Sequence, residues 1–294
     1  MWDYLLILLA VTLLAFGFII QKLYQKNSEK SSLGGVTFSL ISAVCSLFFL
    51  VIRSGFSLDF TWYSATNALL KGICGLAYTV LGFQIMREGK VAFYMLFLMS
   101  GGMIVPCLWG WLFLKESVHV LHVLGVLVIV LSIVLSNFGT ERPNGKLLLK
   151  CCAVFVLNGF VSVFIKLHQI NTAFPSVGTT EYAILGTLIS IVMSGGLLLV
   201  MRHRSGEEKI SLGSFFKPRL ILLVVLYSAI GTASSLLQLE GARNLPASVL
   251  YPMITGGNIV LTGLFALLIF KEKLSKRGWA GILLCLFGTC LFLF

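Results

Sequence analysis

The sequence has few charged residues, and this scarcity excludes an ordinary soluble domain. Only 11% of its 294 residues are Asp, Glu, Lys or Arg, whereas 58% are hydrophobic. A soluble domain normally carries about 25% charged residues, because its surface must be wetted by water. The composition therefore predicts a protein whose surface faces lipid.

Residue patterns for catalysis, metal binding and nucleotide binding are missing from the sequence. Four histidines and seven cysteines are present, but they form no spaced Cys pair and no Cys/His cluster with metal-ligand spacing. No GxxxxGK[ST] loop could hold nucleotide phosphates, and no nucleophile is paired with an acid or base. The sequence predicts no enzyme and no cofactor, and we interpret the cysteines as core residues.

Long apolar runs, separated by short polar stretches, fill almost the whole chain. About 20 helical residues span a bilayer core roughly 30 Å thick, whereas strands of a membrane barrel alternate over segments of about ten residues. The runs therefore predict an all-α membrane protein of ten transmembrane helices, without a separate soluble domain. The predicted helices lie near residues 4–24, 34–53, 67–87, 91–114, 119–138, 147–170, 180–201, 219–241, 246–270 and 276–294.

Positive charge is concentrated on one side of this layout. Of the 22 Lys and Arg residues, all but five fall on the side of the loops that follow odd-numbered helices. Because cytoplasmic loops carry the excess of Lys and Arg, we predict a multi-pass protein of the plasma membrane with both termini extracytoplasmic. Topology thus explains the net charge of +11, and no nucleic acid partner is predicted.

The two halves of the chain resemble each other in a consistent order. Lys22-Leu23-Tyr24-Gln25 in helix 1 recurs as Lys166-Leu167-His168-Gln169 in helix 6. Helix 4 ends in Leu114-Lys115-Glu116 and helix 9 in Phe270-Lys271-Glu272, and each Glu is followed by a Gly nine residues later. Such order across several helix pairs predicts an internal repeat.

The predicted repeat contains an odd number of helices, so its two copies cross the membrane in opposite directions. Residues 1–140 are the first five-helix repeat and residues 145–294 the second. Inverted repeats place a substrate site near the bilayer midplane, between the halves. Rocking of one half against the other would then give alternating access.

The last helices carry motifs of a known transporter superfamily. Tyr251-x-x-x-Thr255-Gly256, followed by Lys271-Glu272 and Gly281, is similar to the end of small multidrug resistance proteins. The ten-helix layout resembles the EamA-like metabolite exporters of the drug/metabolite transporter (DMT) superfamily. This resemblance implies a cavity surrounded by helices 1, 3, 4, 6, 8 and 9, with helices 5 and 10 peripheral.

Four of the predicted helices carry a stripe of polar residues on one face: the spacings are four, seven and eleven residues in helices 3, 8 and 9, and four and eight in helix 6. Polar groups avoid lipid, so we predict that these faces converge on a central cavity. Any single small residue has the alternative role of a hydrogen bond between helices. The predicted substrate-binding residues are Lys71, Tyr78, Asn158, Ser162, Lys166, Ser234, Gln238, Tyr251, Thr255 and Asn258.

The expected function is secondary active or facilitative transport of a small polar metabolite, either amino-acid-like or another charged or zwitterionic solute. The family resemblance favours an exporter, and a lysine in the cavity would favour an anionic group on the solute. Two alternatives remain: a multidrug cation exporter, against which the lack of Asp or Glu within helices 1 and 6 weighs, and a non-transporting receptor or scaffold. The expected partners are the lipid bilayer and the small-molecule substrate, and the oligomeric state, including a homodimer, is left open.

Overall fold

A computed structural model describes residues 2–27, 32–87, 91–117, 119–136, 145–204, 217–270 and 276–293. These residues form ten α-helices and no strand, which confirms the predicted all-α fold. A short 3₁₀ turn, Leu291–Leu293, follows the last helix. The helices are α1 (Trp2–Asn27), α2 (Ser32–Arg53), α3 (Trp62–Arg87), α4 (Val91–Leu112), α5 (Val120–Ser136), α6 (Gly145–Gln169), α7 (Thr179–Arg204), α8 (Pro218–Asn244), α9 (Ala247–Phe270) and α10 (Lys276–Cys290).

The largest difference from the predicted boundaries is at the start of α3. This helix begins at Trp62, five residues before the predicted position. The backbone amide of Ser64 donates to the Thr61 side-chain oxygen at 3.4 Å, so Thr61 caps the helix start. Hydropathy did not indicate this first turn because its residues are too polar to resemble a membrane span.

Eight of the helices are long and apolar enough to cross a bilayer. The other two, α5 and α10, are shorter apolar helices of 17 and 15 residues. Large apolar side chains are exposed along the bundle, for example Val192 and Leu268, which are each 74% exposed. Surfaces of this kind are stable against acyl chains, so the chain is a multi-pass membrane protein.

The main helix contacts form a regular pattern. Helix α1 packs against α8 and α9, whereas α6 packs against α3 and α4. Contacts also join α2 to α7, α4 to α9, and α5 to α10. If each of the first five helices is exchanged with the helix five positions later, the same set of contacts results. The α1–α8 contact becomes α6–α3, and α1–α9 becomes α6–α4. That exchange supports the predicted inverted repeat, although superposition of the two halves stays a prediction.

Several weaker contacts break this exchange pattern: α7–α8 and α5–α9, for example, have no comparable counterparts in α2–α3 and α4–α10 among the described residues. Helix α6 also packs against α8, whereas the corresponding pair, α1 and α3, has no comparable packing among the described residues. Because α6 and α8 meet near the C-terminal end of each, the bundle is tighter at that end. The two ends of the bundle are therefore not equivalent in this conformation.

The main hydrophobic core joins α1, α4, α5, α9 and α10, with Ile7, Met103, Ile129, Leu250 and Cys285 among its fully buried side chains. Glycines allow the helix backbones to come close in this part of the bundle. A Cβ on Gly101 of α4 would overlap with the Phe155 backbone of α6. The packed core thus lies to one side of the bundle.

Candidate functional site

A cavity of about 360 Å³ lies in the other part of the bundle. Its volume falls in the range of roughly 300–1,000 Å³ that is usual for small-molecule sites. Helices α2, α3 and α7 supply most of its walls, and α1, α6 and α8 add one residue each. The lining residues are Gln21, Val36, Phe38, Ser39, Ser42, Lys71, Gly72, Gly75, Leu76, Tyr78, Thr79, Phe83, Val161, Ser190, Met193, Ser194, Leu197 and Tyr227.

The cavity extends from the middle of the bundle towards one of its ends. Lys71 lies near the middle of α3 and marks the inner end of the cavity. Gln21, Phe83 and Leu197 lie near the C-terminal ends of α1, α3 and α7. These helix ends are on the side where the sequence places most of the Lys and Arg residues. The cavity therefore extends towards the side that is predicted to be cytoplasmic.

Within the described part of the chain, the lining carries one formal charge, the ammonium group of Lys71. Its Nζ lies 4.7 Å from the centroid of the Tyr182 ring, a cation–π contact. Tyr182 is held in place because its hydroxyl donates to Asn67 Oδ1 at 2.8 Å. A Cβ on Gly186 would lie only 2.7 Å from Lys71 Nζ, so this glycine leaves the room that the ammonium needs.

Several serine and threonine hydroxyls also line the cavity, and four of them already use their protons. Each donates to a backbone carbonyl three or four residues earlier in its own helix, a usual arrangement for hydroxyls in apolar helices. The bonds run from Ser39 to Gly35 (3.1 Å), Ser42 to Ser39 (3.0 Å), Thr79 to Gly75 (2.7 Å) and Ser190 to Gly186 (2.8 Å). These hydroxyls therefore present mainly acceptor lone pairs to the cavity.

Two tyrosines add hydrogen-bond donors to the cavity wall. Neither the Tyr78 hydroxyl nor the Tyr227 hydroxyl bonds to another residue in the part of the chain that the structure describes, and both residues line the cavity. The Tyr227 ring packs against Phe38, with 4.8 Å between the ring centroids, so its position is fixed. The two phenolic O–H groups are therefore available to a ligand.

Aromatic rings close the inner end of the cavity beyond Lys71. His168 stacks on Tyr182 with 3.7 Å between ring centroids, and Tyr63 stacks on His168 at 5.9 Å. Ser64 Oγ and His168 Nε2 share a hydrogen bond of 2.8 Å. This aromatic stack joins the starts of α3 and α7 to the end of α6, and it separates Lys71 from that end of the bundle.

A buried lysine completes the closure at the turn between α8 and α9. Lys166 Nζ donates to the backbone carbonyls of Ala242, at 3.0 Å, and Leu245. Carbonyls at the end of a helix lack intrahelical partners and carry partial negative charge, so an ammonium stabilises them. Lys166 therefore binds the end of α8.

The start of α9 is bound by a group of opposite charge. Glu116, in the loop after α4, accepts hydrogen bonds from the backbone amides of Ala247 (2.7 Å) and Ser248 (3.0 Å). Its carboxylate also accepts a bond of 2.9 Å from the Ser248 hydroxyl. The first amides of a helix are unpaired and carry partial positive charge, so a carboxylate suits this position.

The structure brings together two of the ten predicted substrate-binding residues. Lys71 and Tyr78 line the cavity on one face of α3. The other eight do not line it, and several bond to neighbouring helices or within their own helix. These bonds run from Asn158 to the Leu98 carbonyl (2.7 Å), Ser162 to that of Gly102 (3.4 Å), Tyr251 to that of Ser162 (2.6 Å), Ser234 to that of Ala10 (2.7 Å), Gln238 to Ser234 Oγ (3.0 Å) and Thr262 to Asn258 Oδ1 (3.1 Å).

These polar stripes therefore bind the helices together in this conformation. The alternative role considered for small polar residues, a hydrogen bond between helices, applies directly to Ser162 and Ser234. Helices α4 and α9, which the family resemblance implied around the cavity, supply none of its lining residues. They pack instead against each other and against α1 and α6. Contact of these residues with substrate stays a prediction.

Sequence reasoning missed the contribution of α2 and α7 to the cavity. Ser39 and Ser42 are three residues apart in α2, and Ser190 and Ser194 are four apart in α7. This helical spacing was a usable signal. It was weak because isolated serines are common in membrane helices.

Ten apolar helices, with a solute-sized cavity between six of them, define a multi-pass membrane protein. The model of the EamA-like transporter family matches residues 145–294, just over half of the chain. The chain therefore belongs to the EamA-like transporter family, as its motifs indicated.

One solved structure, described only as a crystal structure of a protein, has a TM-score of 0.73 to this chain. The two share 16% sequence identity, and the match covers 98% of this chain and 95% of the other. At this identity the likeness shows a common fold. No curated protein matches the chain.

Proposed function

We propose that the protein is a secondary transporter that carries a small polar solute across the plasma membrane by alternating access. The observation that carries this proposal is the cavity, which ends near the middle of the bundle at Lys71. The aromatic stack of Tyr63, His168 and Tyr182 closes the bundle beyond that lysine. A site reached from one side and closed on the other is what one state of an alternating-access cycle requires.

A second, smaller cavity supports the opposite state of the cycle. It measures about 100 Å³ and lies towards the other end of the bundle, between α2, α7 and α8. Gly231 and Ser235 line it, and the Gly-x-Ala-x-Ser sequence that contains them in α8 matches Gly-x-Ala-x-Thr in α3, where Gly75 and Thr79 line the large cavity. Rocking of the halves would enlarge this cavity as the large one closes.

The two equivalent lysines of the predicted repeat are also in different environments. Lys166 is 5% exposed and binds the end of α8. Its counterpart, Lys22, is exposed near the end of α1. The difference in burial between the two lysines goes together with the contact between α6 and α8, for which α1 and α3 have no comparable contact among the described residues. It is the asymmetry that a closed end and an open end of two inverted repeats would produce.

Export is the proposed direction, with both termini extracytoplasmic. The large cavity then faces the cytoplasm, where an exporter takes up its solute. Since the sequence contains no nucleotide-binding loop, a gradient of the solute or of a coupling ion drives the cycle. A multidrug cation exporter is less favoured than a metabolite carrier, because the formal charge of the cavity lining is positive.

Flux into proteoliposomes tests transport against a receptor or scaffold role. Labelled organic acids, amino acids and organic cations are offered as separate probes, and saturable uptake with counterflow is expected for at least one probe. Gly75→Trp should abolish this flux, because the indole would fill the cavity. Gly75 lines the cavity, and a Cβ there meets no atom within 4 Å, so the larger side chain has room to enter it. Gly195→Trp is the matched control, since Gly195 is equally open but does not line the cavity. Binding of a probe without flux in the wild-type protein would contradict the proposal.

A further inference from the structure

The charge of the cavity lining restricts the charge of its ligand. Among the residues that the structure describes, Lys71 is the one lining residue with a formal charge, and no Asp or Glu lines the cavity. A charge removed from water is unfavourable unless an opposite charge or several hydrogen bonds accompany it. A ligand with one negative charge neutralises Lys71, whereas the ammonium of a zwitterion or a drug cation would find no carboxylate in the lining.

The donors that line the cavity suit an anionic, oxygen-rich ligand in kind. The ammonium itself makes a cation–π contact with Tyr182, but within the described residues it makes no hydrogen bond or ion pair. Tyr78 and Tyr227 add two phenolic O–H groups to the same cavity. Donors of these types form short, strong hydrogen bonds to a carboxylate. Lys71 and Tyr78 also lie seven residues apart on one face of α3, which is roughly 10 Å along the helix.

The remaining polar groups of the cavity call for donors on the ligand. Ser39, Ser42, Thr79 and Ser190 each use the hydroxyl proton within the helix, so they offer lone pairs. A purely aliphatic tail would leave these acceptors without partners once water is displaced, which is unfavourable. Hydroxyl groups along the ligand would satisfy them.

On the basis of the proposed transport function, we propose that the solute is a hydroxylated monocarboxylate, an anion of the sugar-acid class. Its carboxylate pairs with Lys71 and accepts a hydrogen bond from a cavity tyrosine. Its hydroxyls donate to the serine and threonine oxygens along α2, α3 and α7. The cavity of about 360 Å³ accommodates a six-carbon acid of this kind together with water.

Calorimetric titration of the purified full-length protein in detergent tests the ligand class with a matched set of six-carbon probes. The set comprises gluconate, hexanoate, 6-aminohexanoate, sorbitol and glucosamine. Gluconate is expected to bind most tightly, with hexanoate about tenfold weaker because it lacks hydroxyl donors. No measurable binding of gluconate, or equal affinity for 6-aminohexanoate or glucosamine, would overturn the inference.

Variants connect this binding to the named side chains. Lys71→Met should weaken gluconate binding tenfold or more, whereas Lys71→Arg should retain most of the affinity because it keeps the positive charge. Lys146→Met, at an exposed lysine in the first turn of α6, is the matched control and should leave the affinity unchanged. Unchanged gluconate affinity in the Lys71→Met protein would overturn the inference.

A second variant keeps the test decisive if Lys71→Met fails to fold. Thr79→Val preserves the shape of the side chain but removes its lone pairs. It should weaken gluconate binding severalfold and leave hexanoate binding unchanged. Equal effects on the two acids would refute the role given to the hydroxyl groups.

Flux measurements separate the failure of this inference from the failure of the proposed function. Counterflow of gluconate through wild-type protein, lost in the Lys71→Met protein, supports both. Counterflow of sorbitol or glucosamine without that of gluconate overturns the anion class but leaves transport intact. Lys71-dependent binding of gluconate without flux of any probe supports the anion site and refutes transport.

Discussion

Replacement of Glu116 by Gln is expected to destabilise the turn that joins α8 and α9. The carboxylate accepts two backbone amide bonds and one hydroxyl bond at the start of α9, at 2.7–3.0 Å. Gln keeps one acceptor oxygen and turns an NH₂ group towards an amide donor. One charge-assisted bond of roughly 1.5–3 kcal/mol is then lost, together with roughly 0.3–1 kcal/mol of favourable charge at the helix start. We expect an overall loss of about 2–3 kcal/mol in the free energy of unfolding.

Two measurements check this expectation for Glu116→Gln. The free energy of unfolding in detergent should fall by the stated amount, and amide hydrogen exchange should accelerate at Ala247 and Ser248. Asp59→Asn is the matched control, because Asp59 is an exposed carboxylate in the loop between α2 and α3. Exposed substitutions of this kind usually change stability by no more than about 0.5 kcal/mol. If the two variants unfold with the same free energy and exchange at the same rate, the capping role of Glu116 is refuted.

Three further predictions concern the closed end, the helix packing and the topology. Lys166→Met removes two charge-assisted bonds from the end of α8, but it also removes the desolvation cost of a buried ammonium, so it should lower the free energy of unfolding by roughly 1.5–3 kcal/mol. An unchanged value in denaturant titration would contradict the closure described above. Gly101→Ala should lower the thermal unfolding midpoint because its Cβ would overlap with the backbone of α6, whereas Gly195→Ala, with open space around it, should not. In a cysteine-free background, an impermeant maleimide should label Lys217→Cys from the cytoplasmic side and Ser57→Cys from the outside; the reverse pattern would invert the predicted topology.

The number and limits of the helices could be predicted closely from hydropathy. A membrane span needs a minimum apolar length, and that length is set by the bilayer and not by neighbouring helices. The ten predicted spans correspond to the ten observed helices for this reason. The start of α3 is the exception, since a capping threonine and tertiary contacts extend the helix through a polar first turn.

The candidate site was predicted only in part, and Lys71 and Asn158 illustrate why. An ammonium in an apolar helix is expensive unless it meets water or a partner, so the position of Lys71 indicated a polar surrounding, either a cavity or a partner. An amide such as Asn158 is satisfied equally well by a cavity or by a carbonyl of the next helix. The structure places the Leu98 carbonyl 2.7 Å away, and that neighbour decided the outcome.

The serines of α2 and α7 line the cavity although the sequence did not predict it. Ser42 and Ser190 bond within their own helices, so their local chemistry gives no sign of a cavity. They line it because α2 and α7 pack on each other beside α3 and α8. That packing depends on contacts between residues far apart in the chain.

The sequence by itself determined that this protein lies in a membrane, how many helices it forms, on which side of the predicted layout most Lys and Arg residues fall, and to which family it belongs. Each of these follows from the length, composition or motifs of single segments and does not depend on how the segments pack. Only the tertiary structure decided which polar faces line the cavity and which bind the helices together. Rotation of a helix about its axis is set by packing against its neighbours, and no single segment contains that information.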